Sequence, residues 1–227
     1  MIKIKSISAI LAISLFSHFS IAWGVGVSAP AGLRDCRTDD PMLVGIQKMA
    51  ASQSLEYLGC FLSDQRVELR GENKGASHLL TYAFALKISA PGQSSEDLDA
   101  LYQNILLQWK NFKPLANDRR EYENKISDLV AKNSPDGIPK AQISLAVPIL
   151  VRIERLDENS YLVESIRERK VAINSETYIS TSIDGSVVFL KEGAFVRLSL
   201  VREFQSESDI ATVDQAVRSW VRSESSR

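Results

Sequence analysis

The run Thr177-Tyr-Ile-Ser-Thr-Ser-Ile183 is followed by Asp184-Gly185 and, after Ser186, by Val187-Val-Phe-Leu190. β-Branched and aromatic residues crowd both sides of an Asp-Gly pair, a dipeptide favoured where two strands reverse in a tight turn. The pattern predicts two short strands, Thr177 to Ile183 and Val187 to Leu190, joined at Asp184-Gly185. Downstream, Lys191-Glu-Gly193 predicts another turn, into a strand from Ala194 to Phe204. There Val196, Leu198 and Leu200 alternate with Arg197 and Ser199, the pattern of one packed face and one wet face. Upstream, Ile143 to Leu156 reads as a strand with Ile149, Val151 and Ile153 on one face, and Pro148 belongs at an edge or a bulge. Asp157-Glu-Asn159 turns it into Tyr161 to Val171. These consecutive strands predict an antiparallel meander.

A helix closes the chain. It starts near Ser208 and carries Ile210, Val213, Val217, Trp220 and Val221 on one stripe, leaving Ser223 to Arg227 as a frayed tail. In the first half, residues 25–38 form an extended arm, and Asp40-Pro41 offers a helix cap with proline at the first helical position. Leu43, Ile46, Met49, Ala50, Leu55 and Leu58 keep a broken helical period, with Gly59 as the stop. Val67 to Leu69 is a short strand, Gly71 to Gly75 a turn, and His78 to Ile88 a buried strand ended by Ala90-Pro91-Gly92. Ser94-Ser-Glu-Asp97 opens the clearest helix, with Leu98, Leu101, Tyr102, Ile105, Trp109 and Phe112 at helical spacing up to Pro114. A second helix follows from Asn117 to Lys132, with Tyr122, Ile126 and Leu129 inward. Asn133 to Lys140, with Pro135, Asp136-Gly137 and Pro139, is a loop.

The sum is one α+β domain over residues 25–227: a helix-and-strand half (40–132), then a β-meander with its helix (141–223). An antiparallel sheet of about five or six strands is packed by amphipathic helices. This layout resembles that of PsbP-like exported domains, which also close with a C-terminal helix against an antiparallel sheet. The likeness is one of element order and implies no site residue.

Lys3 and Lys5 precede an apolar run from Ile7 to Ile21, and small residues follow at Ser20, Ala22 and Gly24. That is the layout of a secretory signal peptide over residues 1–24, with cleavage after Ala22 or Gly24. The expected compartment is the periplasm or the cell exterior, and no membrane span remains after cleavage. Cys36 and Cys60 then read as one disulfide that ties the arm to the far end of the first helix. With 27 Lys and Arg against 28 Asp and Glu, the charge balance gives no reason to expect nucleic acid as a partner.

The chemistry on offer is sparse. The chain has two histidines, His18 inside the signal and His78, so metal sites built on several imidazoles are excluded from the reading. No Gly-x-Ser-x-Gly elbow and no Gly-rich phosphate loop is present, and no cofactor or metal is expected. Glu121-x-Glu123 and Asp39-Asp40 read as solvated charges. Trp109, Trp220, Tyr102 and Tyr122 read as core. Arg152, Arg155, Arg167, Arg169, Lys170, Arg197 and Arg202 crowd the meander, interleaved with Glu154, Glu164, Glu168 and Glu203. Cross-strand ion pairs explain the interleaving. The sharper reading makes Arg152, Arg155, Arg167, Arg169 and Arg197 a sheet face that binds an acidic partner.

The functional expectation is an exported, non-enzymatic binding or accessory protein that engages an envelope protein or a small ligand, with a cleft beside Asn133 to Lys140. The alternatives are a carboxylate-dependent hydrolase of an envelope polymer and a carrier of a small apolar ligand.

Overall fold

The computed structural model describes residues 27–53, 55–68, 70–71, 77–88, 93–110, 142–146, 148–173 and 176–226. The signal peptide expected at 1–24, the helix expected at 117–132, the loop expected at 133–140, and Phe112 and Pro114 lie outside the described residues.

In chain order the elements are β1 (Arg34–Asp35), α1 (Pro41–Ser52), β2 (Leu55–Leu62), β3 (Arg66–Glu68), β4 (Arg70–Gly71), β5 (Ser77–Leu79), β6 (Thr81–Ile88) and α2 (Ser95–Lys110). Then follow β7 (Gln142–Leu145), β8 (Ile149–Asp157), β9 (Ser160–Ile173), β10 (Glu176–Lys191), β11 (Ala194–Glu203) and α3 (Ser208–Ser225). The α+β class holds. The main sheet is antiparallel and larger than expected. Its path β1-β2-β6-β11-β10-β9-β7 holds seven strands, with β8 pairing β9 and β4 pairing β10. β3 and β5 form a separate ribbon.

The expected turn at Asp184-Gly185 does not form. β10 runs straight through it, with Asp184 and Gly185 opposite Ser165 and Glu164 on β9, and opposite Val201 and Leu200 on β11. Side chains on a strand alternate between faces, and here the parity never breaks. Ile183, Val187 and Phe189 lie buried in one cluster with Val213, Val217, Trp220 and Val221 of α3. Gly185 occupies the position between them because the helix comes too close for a side chain. A Cβ there would stand 2.5 Å from Val213 Cγ1. The next expected turn does form: the chain reverses at Glu192-Gly193, where both residues have positive φ (53° and 72°), as in a type I′ hairpin turn.

The opposite face of the sheet carries the other two helices. α1 packs Ile46 and Ala50 on Cys60, Leu62, Phe84, Leu86 and Val201. α2 packs Leu98 on Tyr161, Val188 and Phe195. A reciprocal box starts α2: Ser94 N–H donates to Asp97 Oδ2 (2.9 Å), and Asp97 N–H to Ser94 Oγ (3.2 Å). At α1 the proline stands at the first turn as expected, but Asp40 makes no forward cap. Its Oδ2 turns back to accept from Arg37 N–H (2.7 Å) and Arg34 Nη1 (3.2 Å).

Four further expectations change. α1 stops at Ser52, and Leu55, Leu58, Gly59 and Cys60 belong to β2, so the Cys36–Cys60 disulfide ties the arm to a strand beside β6 rather than to a helix end. The strand expected at Ile143 to Leu156 is two strands, β7 and β8, which lie end to end along β9 with Pro148 in the gap. The strand expected from His78 breaks at Leu80 into β5 and β6. The C-terminus is not wholly frayed, because α3 continues to Ser225 and buries Glu224 completely. No helix among the described residues is long and apolar enough to cross a membrane.

Candidate functional site

Between α1 and α2, the face of the sheet that they share is polar where its surroundings are apolar. Even-numbered residues of β10 and odd-numbered residues of β9 and β11 point to this face. Register places Ser186 opposite Ser199, Ser182 opposite Arg167, and Val188 opposite Arg197. Ser199 is fully buried, so the face expected to be wet is covered there. Arg197 donates from Nε to Ser199 Oγ (3.0 Å) and from Nη2 to Ser186 Oγ (3.2 Å). The two hydroxyls lie 2.8 Å apart, and Ser186 Oγ donates on to Asp184 Oδ1 at 3.1 Å. Asp184 Oδ2 is 3.7 Å from Arg167 Nη2. Beyond it, Ser180 donates to Glu203 Oε2 (3.2 Å) and Arg169 to the Tyr82 hydroxyl (3.1 Å). Two donors on adjacent paired residues, Arg167 Nε and Ser182 Oγ, are buried and have no hydrogen-bond partner among the described residues. Unpartnered buried donors of this kind are costly.

Of the five arginines singled out in the sequence, Arg167, Arg169 and Arg197 line this polar floor. Arg155 is on the same face at its α2 edge, over the Tyr102 ring (5.7 Å) and 3.6 Å from Asp99. Arg152 is on the opposite face, under α3. The sequence reading missed Ser182, Asp184, Ser186, Ser199 and Tyr82. The signal was the alternation Ser180, Ser182, Asp184, Ser186, hidden once Asp184-Gly185 was read as a turn. His78 pairs with Val67 in the β3–β5 ribbon.

Arg152 belongs to a second, acidic cluster. Its Nε is 3.4 Å from Glu164 Oε2, and its Nη1 is 3.4 Å from Glu154 and 3.3 Å from Asp214. Arg218 donates to Asp214 and to Glu154, both at 2.6 Å. The hydrogen bond from Arg218 holds Glu154 below the usual carboxylate range. Burial pushes Glu164 above it, against the pull of Arg152. Glu164 is fully buried, and neither of its oxygens has a hydrogen-bond partner among the described residues. The interleaved Arg and Glu residues do form a cross-strand pair at Arg152 and Glu164, with Glu164 buried beneath α3 and Arg152 reaching to it from the half-exposed rim.

The polar floor is a set of guanidinium and hydroxyl donors with two carboxylates, Asp184 and Glu203, both already engaged. Among the described residues it has no imidazole to activate Ser186 or Ser199. Beside it, burial pushes the Tyr161 phenol up to about 12, which keeps it neutral. Such a surface can grip an oxyanion by charge-assisted hydrogen bonds. Among the described residues no group of three His, Cys, Asp or Glu side chains is arranged to hold a metal ion. Compared with known protein families the chain matches none, and no curated protein matches it.

Proposed function

We propose that this chain is an exported binding or accessory module, without catalytic activity of its own, and that it holds an acidic group of an envelope partner on the polar floor between α1 and α2. The observation that carries the reading is the adjacent pair Arg167 and Ser182, whose buried donors lack an acceptor among the described residues, on a surface where Arg and Ser side chains outnumber the two carboxylates. A sheet packed by helices gains most from apolar side chains, so a row of donors along its floor has a use in recognition. The Cys36–Cys60 disulfide suits an oxidising compartment and agrees with export.

The test is affinity capture of the tagged protein from its own cell envelope, with Arg167→Glu and Arg197→Glu beside the wild type. A partner released by salt and bound about tenfold less by both variants supports the reading. Equal capture by all three proteins moves the site elsewhere.

One observation favours the hydrolase reading: on one face of the sheet the Arg218 hydrogen bond holds Glu154 below the usual carboxylate range while burial pushes Glu164 above it, the kind of separation an acid and base pair uses. Glu164 is fully buried, however, so a polymer reaches it only if α3 moves. Release of soluble fragments from envelope polymer by the wild type, and not by Glu164→Gln, would establish that activity.

A further inference from the structure

We propose a second ligand site on the α3 side of the sheet, in the pocket between the β8–β9 hairpin and the C-terminal end of α3. It takes a small zwitterion with an apolar side chain, the chemistry of a free amino acid. The pocket holds about 340 Å³ and is lined by Leu156, Asp157 and Ser160 from the hairpin and by Arg218, Val221 and Arg222 from the helix. That volume is at the lower end for small-molecule sites, which suits one compact ligand.

The charges decide its chemistry. Arg218 is already committed to Asp214 and Glu154. Among the described residues Asp157 accepts only the Asn159 backbone N–H, at 2.7 Å. Among the described residues neither Asp157 nor the Arg222 guanidinium has an ion-pair partner, and the two do not pair with each other although they line one pocket. The pocket thus presents one uncompensated charge of each sign. A ligand carrying both an ammonium and a carboxylate satisfies both at once. The floor supplies a further donor: Ser160 is 3% exposed, lines the pocket, and its hydroxyl has no partner among the described residues. Leu156 and Val221 give the apolar wall that a side chain needs. The carbonyl end of α3 adds negative potential, which disfavours a polyanion such as phosphate.

The site faces away from the polar floor, so its fate is independent of the proposal above. The test is titration of the ¹⁵N-labelled protein with L-leucine, followed by NMR. The expected result is saturable shifts at the backbone amides of 156–160 and 221–226. Asp157→Asn and Arg222→Gln each weaken binding about tenfold, and so do the two matched probes, N-acetyl-L-leucine without the ammonium and L-leucine amide without the carboxylate. Both side chains are exposed, so an unchanged melting temperature certifies the variants. Absence of saturable shifts at those amides overturns the site. Equal affinity for N-acetyl-L-leucine overturns the zwitterion.

Discussion

Glu164 is flanked in sequence by Val163 and Ser165 and looks no different from Glu154, Glu168 or Glu203. Its setting makes it unlike them. It lies under α3, and its carboxyl is pushed up by burial more than Arg152 pulls it down. The folded chain therefore binds this proton more tightly than the unfolded chain does. The stability it confers is complete below its ordinary value of 4.5 and is lost as pH rises through the raised one. Glu154 works in the opposite sense, its contribution being present above its ordinary value and lost as pH falls. Glu164→Gln keeps the shape and removes the titration, and Arg152 still has Glu154 and Asp214. Thermal melting followed from about pH 5 to about pH 8 should decline less in the variant than in the wild type, with the largest gain at the alkaline end. Parallel melting curves would mean that Glu164 is already ionised when folded.

At the scale of elements, two glycines make opposite predictions. Gly185 is where β10 and α3 meet, and a methyl group there runs into Val213 at 2.5 Å. Gly185→Ala should lower stability by about 1–3 kcal/mol through overpacking, read by urea denaturation. Gly45 lies in α1, and a methyl group added to it would meet nothing within 4 Å. Gly45→Ala should raise stability by about 0.5–1 kcal/mol, the gain in helix propensity. If Gly185→Ala leaves stability unchanged, close helix approach is not what requires glycine in β10. β2 teaches a related lesson about helices. Leu55 and Leu58 continue the helical spacing of α1, but as a strand this segment pairs with the edge of β6, whose backbone groups a longer helix would have left open.

Over the whole molecule, the segment before α1 is tied at widely separated points. Ser28 donates from N–H (3.1 Å) and Oγ (2.6 Å) to Glu224, and its carbonyl accepts the Trp220 indole N–H at 2.8 Å. Further on, β1 pairs with β2 and the disulfide joins Cys36 to Cys60. The arm thus bridges the C-terminal end of α3 to the edge of the sheet. On the chain-entropy estimate the disulfide contributes roughly 3 kcal/mol. The Cys36→Ser, Cys60→Ser double variant should melt at a lower temperature, and reductant should lower the wild type to match it. A melting temperature indifferent to reductant would show that the other ties suffice.

The sequence alone determined the α+β class, the meander, the starts of α2 and α3, and the cysteine pairing. Each depends on contacts close in sequence or on a count of residues. Ser94 and Asp97 box α2 from three residues apart, and Trp220 falls on the stripe that reaches Phe61 edge-on at 5.5 Å. The tertiary structure alone decided the path through Asp184-Gly185, the strand at Leu55 to Leu62, and which arginines share a face. An Asp-Gly pair turns a chain when nothing opposes it. Here Ile183 and Val187 must both lie under α3, and their shared burial outweighs a local turn preference. The polar floor was hidden for the same reason: its residues come from β6, β9, β10 and β11, and only register brings them together.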